Sequence, residues 1–242
     1  MANVDSPNFR YGKNYNYTNF VIDLIRTPYT LNIFTDVSTR NLTDKLGKQI
    51  THSCYGAIGV NMDTIIEESY GLANDCTSEK GEIRGIRKGI SLGFKYRNYF
   101  PNINIFSDSA YAVSSINEWY YNTWHYNPNK QAIVNSSNNA IKNQSLIIEM
   151  MSLLENLRTT NNVNVYHISG HIDNDQKDIK RATTKFRNIN RIKGNLDYNV
   201  IRYAVMYNNY IDNHTRSIVR TTDFINNNYG DIVEFDPINY IS

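Results

Sequence analysis

The stretch Leu-Asn-Ile-Phe-Thr-Asp-Val-Ser, residues 31–38, decides the fold that we predict for this chain. Leu31, Ile33 and Val37 alternate with polar positions, and a period of two is typical of a β-strand with a buried face. Asp36 lies near the carboxyl end of this strand, where it needs a partner because an unpaired buried charge is costly. The partner could be an arginine, a helix N-terminus or a divalent cation that other carboxylates share.

Length and composition indicate one large domain with its own core, because the chain has 242 residues. The formal net charge is +2, so only local patches could indicate a nucleic-acid binder. No stretch approaches the roughly 20 apolar residues of a membrane helix, and no signal peptide is recognisable, so we expect no membrane partner. Cys54 and Cys76 are expected to be reduced thiols of an intracellular protein. The many Asn and Tyr residues fit an AT-rich coding sequence, as in a virus or phage.

The first strand begins a predicted antiparallel meander of three strands. A polar hairpin loop at 41–51 leads to strands at 54–60 and 64–72, and short connections favour antiparallel pairing. Residues 1–30 are predicted to be an N-terminal extension, which packs on the domain or forms an arm that stacks on bases.

A long helix is predicted at 77–98, because Thr77 or Ser78 can cap it and acidic residues follow in its first turns. Four glycines recur at every fourth position, and this stripe predicts a neighbour that approaches the helix closely. They are Gly81, Gly85, Gly89 and Gly93.

The fold class predicted from these elements is α/β. The remaining elements are a strand at 102–107, a helix from about 108 to 121, an aromatic loop at 122–137, a helix at 143–158, a strand at 163–168, a polar segment at 172–207 that turns helical from about 197, and an acidic C-terminal tail at 221–242. A strand, a crossover helix and another strand imply a parallel pair. We therefore predict a five-stranded mixed sheet, a three-stranded antiparallel meander plus two parallel strands, flanked by helices.

Carboxylates stand where such a sheet forms a site, at the carboxyl ends of its strands. A right-handed crossover makes the first and fourth strands neighbours, so Asp36 and Asp108 would project side by side, and the first long helix could place Glu82 between them. Clustered carboxylates repel one another unless cations are bound, and oxygen ligands alone select Mg²⁺ or Mn²⁺. Two such ions about 4 Å apart can activate a water and stabilise the leaving oxygen of a phosphodiester. The pattern therefore predicts a nuclease.

Five motifs in this order resemble ribonuclease H, over about residues 31–220. They are Phe-Thr-Asp-Val-Ser at 34–38, Thr-Ser-Glu-Lys-Gly-Glu-Ile at 77–83, Ser-Asp-Ser-Ala-Tyr-Ala-Val at 107–113, Gly170-His171, and Asn208 with Asp212. The resemblance implies a ribonuclease H-like catalytic domain in which two metal ions hydrolyse the RNA strand of RNA/DNA hybrids.

The resemblance also implies a role for each site residue. Asp36, Glu82, Asp108 and Asp212 would hold two Mg²⁺ or Mn²⁺ ions, and Asp108 would also help to position the attacking water. His171 would assist proton transfer or product release.

Contacts to the nucleic acid are implied at Thr77, which falls where the family binds a DNA phosphate, and at Ser38 and Asn208. Val37 and Glu79 depart from the family, which usually has Gly and Asn there; the valine could crowd the backbone near the substrate, and the glutamate would repel phosphate. The segment at about 172–207 is predicted to be a basic insertion that grips a phosphate backbone, although a solvated basic face explains it equally well. Its candidate contacts are Lys180, Arg181, Lys185 and Arg187.

Two alternatives stay open at the level of sequence. The same four carboxylates could serve a DNA endonuclease such as a junction resolvase, because a fold does not fix a substrate. A non-catalytic structural or nucleic-acid-binding module could also keep this fold.

Overall fold

The computed structural model describes residues 26–43, 47–74, 76–173, 175–192 and 196–221 and the backbone of 233–235. Most of the predicted N-terminal extension at 1–30 and most of the predicted tail therefore lie outside the described residues. None of the helices in the described ranges combines the length and the apolar character that crossing a membrane requires.

Six of the described strands form one sheet: β1 (Thr30–Thr43), β2 (Gln49–Asn61), β3 (Thr64–Asn74), β4 (Asn102–Ser107), β7 (Asn162–His167) and β8 (Val233–Phe235). Their order across the sheet is β7-β4-β1-β2-β3-β8. A separate hairpin consists of β5 (His125–Asn127) and β6 (Ala132–Val134). The helices are α1 (Ser78–Tyr96), α2 (Ala110–Ser114), a π-helical turn (Ser115–Trp119), α3 (Tyr120–Asn122), α4 (Gln144–Arg158), α5 (Gln176–Ile189) and α6 (Tyr198–Thr221).

The predicted five-stranded mixed sheet is confirmed. Strands β1, β2 and β3 form the antiparallel meander, and β4 and β7 add to β1 in parallel. Two details differ from the prediction. Pairing of β1 with β2 continues to Thr43 and Gln49, so the hairpin loop is much shorter than the predicted 41–51. The pairing extends this far because polar residues form backbone hydrogen bonds as readily as apolar residues do. Part of the tail forms β8, which covers the otherwise open edge of β3.

Helices cover both faces of the sheet. Buried residues of α1, α2 and α4 pack on the face that carries Leu31 and Ile33. Buried residues of α5 and α6 pack on the face that carries Phe34, Phe106 and Tyr166. Strand β1 is buried from Thr30 to Asp36, so Asp36 lies sheltered in the middle of this strand and not near its carboxyl end as predicted, because pairing with β2 extends β1 to Thr43.

Two ladders of side chains cross the parallel strands on the α6 face. Asn32, Asn104 and Asn164 are aligned by strand register and buried, and their side-chain amides link successive strands at 3.1 and 3.4 Å. The next aligned row is aromatic, with ring centroids 4.8 Å apart between Phe34 and Phe106. Each interior amide finds a partner in the neighbouring strand, so the ladder satisfies polar groups that burial would otherwise penalise.

The glycine stripe of α1 allows the close approach that was predicted. A Cβ atom on Gly81 would lie 2.3 Å from Cγ2 of Val37, and one on Gly85 would lie 3.4 Å from the backbone oxygen of Asp36. The helix therefore lies directly on the middle of β1, around Asp36 and Val37. Val37, where crowding of substrate was a concern, packs instead against Gly81 and the small cluster around Cys76.

Candidate active site

Strand register brings Asp36 and Asp108 together at one edge of the sheet. Thr35 of β1 pairs in parallel with the last residue of β4, Ser107, so Asp36 in the middle of β1 and Asp108 just past β4 lie at the same level on adjacent strands. Asp36 is almost fully buried, at 4% exposure. The predicted convergence of these two carboxylates is thus present in the structure.

Helix α1 adds Glu82 to the pair. One carboxylate oxygen each from Asp36, Glu82 and Asp108 lie within 4.8 Å of one another. Oε2 of Glu82 is buried and has no hydrogen-bond partner among the described residues. Burying a carboxylate oxygen without a donor is unfavourable, and a cation at the centre of the three would supply the missing partner.

The electrostatics of this cluster disfavour three negative charges. Burial, followed by repulsion from Asp108, raises the pKa of Asp36 from 3.8 to about 7. Burial raises the pKa of Glu82 well above its ordinary value, and repulsion from the two aspartates adds to the effect. Burial also raises the pKa of Asp108, against the opposing influence of His171. Protons or cations must therefore neutralise the cluster at neutral pH.

Helix α6 holds Asp36 through a hydroxyl group. The Oγ1 atom of Thr215 donates to Oδ2 of Asp36 at 3.0 Å, and this hydrogen bond opposes the rise in the pKa of that aspartate. The hydroxyl of Ser38, a predicted nucleic-acid contact, lies 3.2 Å from the hydroxyl of Thr215. Ser38 therefore belongs to the network that orients Asp36.

Asp212 lies beside the three carboxylates but outside their tight group. It is close enough to raise the pKa values of Asp36 and Asp108. Both of its oxygens accept hydrogen bonds from Nη2 of Arg216, at 2.8 and 2.7 Å. The structure thus brings Asp212, the fourth predicted ligand, to the edge of the site, where its carboxylate is bound to Arg216.

His171 stands at the mouth of the site on the loop after β7. Its Nδ1 atom lies 3.4 Å from Oδ2 of Asp212, its side chain is 71% exposed, and its φ angle is 51°. The loop presses closely on the site, because a Cβ atom on Gly170 would lie only 2.2 Å from Oδ2 of Asp108. Only glycine fits at 170 without a shift of the loop or of the carboxylate.

The predicted nucleic-acid contacts are spread more widely. Thr77 caps α1, and its side chain accepts a hydrogen bond from the Lys80 amide. Asn208 is only 1% exposed, and its amide group has no hydrogen-bond partner among the described residues. The predicted contacts at Thr77, Ser38 and Asn208 stay predictions.

The predicted basic insertion at about 172–207 contains the helix α5, Gln176–Ile189, where the sequence predicted only a polar segment. Ile179 and Phe186 anchor it to the α6 face of the sheet. The candidate contacts Lys180, Arg181 and Lys185 are exposed, whereas Arg187 is half-buried. The cationic side chains at 180, 181 and 185 therefore share the outer face of one helix.

Thr215 and Arg216 are the site residues that the sequence analysis missed. A signal was present in the sequence, since they follow Asp212 by three and four positions and such residues share one face of a helix. The sequence predicted Asp212 beside Asp36, but nothing in it shows which neighbours of Asp212 on the helix face Asp36.

Together, the fold and the site define an α/β protein with an acidic centre suited to divalent cations. The RNase H family model matches residues 28–183, more than half of the chain. The chain therefore belongs to the RNase H family, as its motifs predicted. The matched region includes Asp36, Glu82 and Asp108, and it ends before Asp212.

Solved structures of RNase H proteins resemble the chain at low identity. The RNase H domain of PFV is 15% identical, and the match covers 69% of this chain and 98% of that domain, with a TM-score of 0.45. RNase H1 from Halobacterium salinarum is 12% identical over 58% of this chain and 86% of its own, with a TM-score of 0.37.

A foamy viral protease–reverse transcriptase in complex with an RNA/DNA hybrid is 19% identical, with a TM-score of 0.43. The match covers 59% of this chain and 18% of that one, so the chain corresponds to about a fifth of that viral protein. No curated protein sequence matches the chain significantly. The family assignment rests on the family model.

Proposed function

We propose that this protein is a ribonuclease H that hydrolyses the RNA strand of RNA/DNA hybrids with two Mg²⁺ or Mn²⁺ ions. The observation that carries the proposal is the convergence of three carboxylates within 4.8 Å, one of them with a buried oxygen that lacks a hydrogen-bond partner among the described residues. Membership of the RNase H family supports the reaction class.

Asp36, Glu82 and Asp108 would hold the cations, because their oxygens already converge and their raised pKa values reflect charges in need of neutralisation. Divalent ions bound there supply an activated water and stabilise the leaving oxygen. Asp108 would also orient the attacking water. Asp212 would complete the ligand set after it exchanges its hydrogen bonds with Arg216 for a cation.

His171 would move protons at the edge of this centre. Its ring is exposed and can meet the leaving group, and its Nδ1 atom lies 3.4 Å from Oδ2 of Asp212. We propose that it assists proton transfer or product release.

Binding of the substrate would use surfaces around this centre. We propose that residues 31–220 form the catalytic domain, that residues 1–30 and 221–242 are extensions to it, and that the insertion at about 172–207 adds a basic face. The exposed cations of α5 would contact phosphates and make binding dependent on salt. Thr77 and Ser38 would contribute further contacts, whereas Asn208, at 1% exposure, would reach the substrate only after a movement of α6.

Cleavage of a hybrid with separate labels on its two strands tests the proposal. Purified protein with Mg²⁺ or Mn²⁺ should cut the RNA strand and leave the DNA strand intact, and chelation of the metal should abolish cutting. Asp108→Asn should abolish cutting as well. Glu149→Gln, which removes a carboxylate from the surface of α4, should cut normally.

The proposal fails if the protein leaves hybrids intact with both metals. Preferential cutting of branched DNA would favour a junction-resolving endonuclease instead. A folded protein that neither cuts nor binds Mn²⁺ in a calorimetric titration would be a non-catalytic module.

A further inference from the structure

A groove rich in arginine leads away from the acidic centre. Its volume is about 670 Å³, and its walls are the late residues of β1, 38–41, and Arg216, Val219 and Arg220 of α6. No acidic residue lines it, and three of its seven lining residues are arginines.

Two of these arginines lack an acidic partner within the described part of the chain. Arg216 is paired with Asp212, whereas Arg40 donates one hydrogen bond to the backbone oxygen of Arg220 at 3.2 Å. No described carboxylate forms an ion pair with Arg40 or Arg220. The positive charges of Arg40 and Arg220 are therefore not neutralised by a described carboxylate, so an anionic ligand in the groove would stabilise them.

The groove is continuous with the catalytic centre. Strand β1 and helix α6 run in the same direction, from the contact of Asp36 with Thr215 to the contact of Arg40 with Arg220. Arg40 follows Asp36 by four residues, which is about 13 Å along a strand. The groove wall itself runs from Ser38 to Asn41, about 10 Å of strand, which accommodates about three nucleotides at roughly 3.4 Å each.

Arginine suits such a ligand better than lysine does. The planar guanidinium offers parallel donors that match two phosphate oxygens, and the charge persists at every physiological pH. Ser38, Thr39 and Asn41 add hydroxyl and amide groups that can bind sugar or phosphate oxygens along the same wall.

We propose that this groove binds the sugar–phosphate backbone of the strand being cut, over the two or three nucleotides next to the scissile bond. The inference rests on the proposed function for its position relative to the scissile bond. The groove's affinity for phosphodiesters can be measured without any cleavage.

The experiment is a titration of labelled RNA/DNA hybrid into protein, in a chelator, at several salt concentrations. The double variant Arg40→Ala, Arg220→Ala should weaken binding for all base sequences and reduce the slope of log affinity against log salt by about 2, or about 1 for each arginine. Arg216 is left intact because it holds Asp212. Arg202→Ala, an exposed arginine near the start of α6, is the matched control and should keep the slope of the wild type.

A second variant separates loss of charge from loss of structure. Arg40→Lys with Arg220→Lys should restore most of the slope and weaken binding less than the alanine pair, because charge is kept and the paired donors are lost. In cleavage assays the alanine pair should raise KM and leave kcat at saturation near that of the wild type.

Each outcome decides one of the two proposals. An unchanged salt slope in the alanine pair, or an equal fall in Arg202→Ala, overturns the groove, even if the wild type cuts hybrids. A slope that falls only in the alanine pair supports the groove, even if the wild type fails to cut and the proposed nuclease activity is lost.

Discussion

Replacing Asp36 by asparagine should stabilise the metal-free protein at alkaline pH. The side chain is 4% exposed, and its pKa is raised from 3.8 to about 7, first by burial and then by repulsion from Asp108. Charging Asp36 in the folded protein therefore lowers the free energy of unfolding by about 4 kcal/mol. Part of this cost is repulsion between Asp36 and its neighbouring carboxylates, which protonation of a neighbour also relieves. The gain in the free energy of unfolding from Asp36→Asn is therefore at most about 4 kcal/mol. An asparagine oxygen can still accept the hydrogen bond from Thr215, so packing is preserved.

The effect should depend on pH in one direction. The folded protein binds the proton of Asp36 more tightly than the unfolded chain does, so the stability of the metal-free wild type falls between about pH 4 and pH 7 and levels off above that. Asp36→Asn should therefore gain most at about pH 8, with a rise in Tm of roughly 10 °C, and little at about pH 4.

Thermal unfolding in a chelator at both pH values measures the effect. Addition of Mg²⁺ should then raise the Tm of the wild type at pH 8 and leave that of Asp36→Asn almost unchanged, because binding to the folded state alone stabilises it. If Asp36→Asn is no more stable than the wild type at alkaline pH, the account of a strained acidic cluster is wrong. A gain that is equal at both pH values would refute it too.

Three further substitutions test other contacts. Gly170→Ala would place a Cβ atom 2.2 Å from the Asp108 carboxylate, so cleavage should fall by about 100-fold in steady-state assays while circular dichroism shows an unchanged fold. Thr215→Val removes the hydroxyl that holds Asp36, so Mg²⁺ affinity should fall by about 10-fold in a calorimetric titration, and Thr215→Ser should restore it. Asn104→Ala removes the middle rung of the asparagine ladder, and urea unfolding should show a loss of about 2 kcal/mol; an unchanged midpoint would mean that the buried amides contribute nothing.

Much of the fold was predictable from local patterns. The alternation in 31–38 predicted a strand, and the order of strands and helices predicted the mixed sheet. The glycine stripe predicted the close contact of α1 with a neighbour, which is the middle of β1. These features follow from periodicity and connection length, which a sequence displays directly.

Other elements were missed for reasons that differ. Helix α5 places Ile179 and Phe186, seven residues apart, on one buried face, but the many cations between them favoured a basic surface element and hid this helical pattern. Strand β8 is short and pairs with a distant edge, and no local pattern shows which edge is open. The bond between Thr215 and Asp36 joins residues 179 positions apart, so only the packing of α6 on the sheet reveals it.

The asparagine ladder also fixes the register of β4 against β1, and with it the distance between Asp36 and Asp108. Moving β4 by two residues against β1 would keep every side chain on its own face, yet it would carry Asp108 about 7 Å away from Asp36. Such a slip would also set amides opposite aromatic rings and leave them without partners. Asn32 and Asn104 lie four positions before the two aspartates and outside the acidic centre. Their hydrogen bond thereby sets the spacing between the two carboxylates.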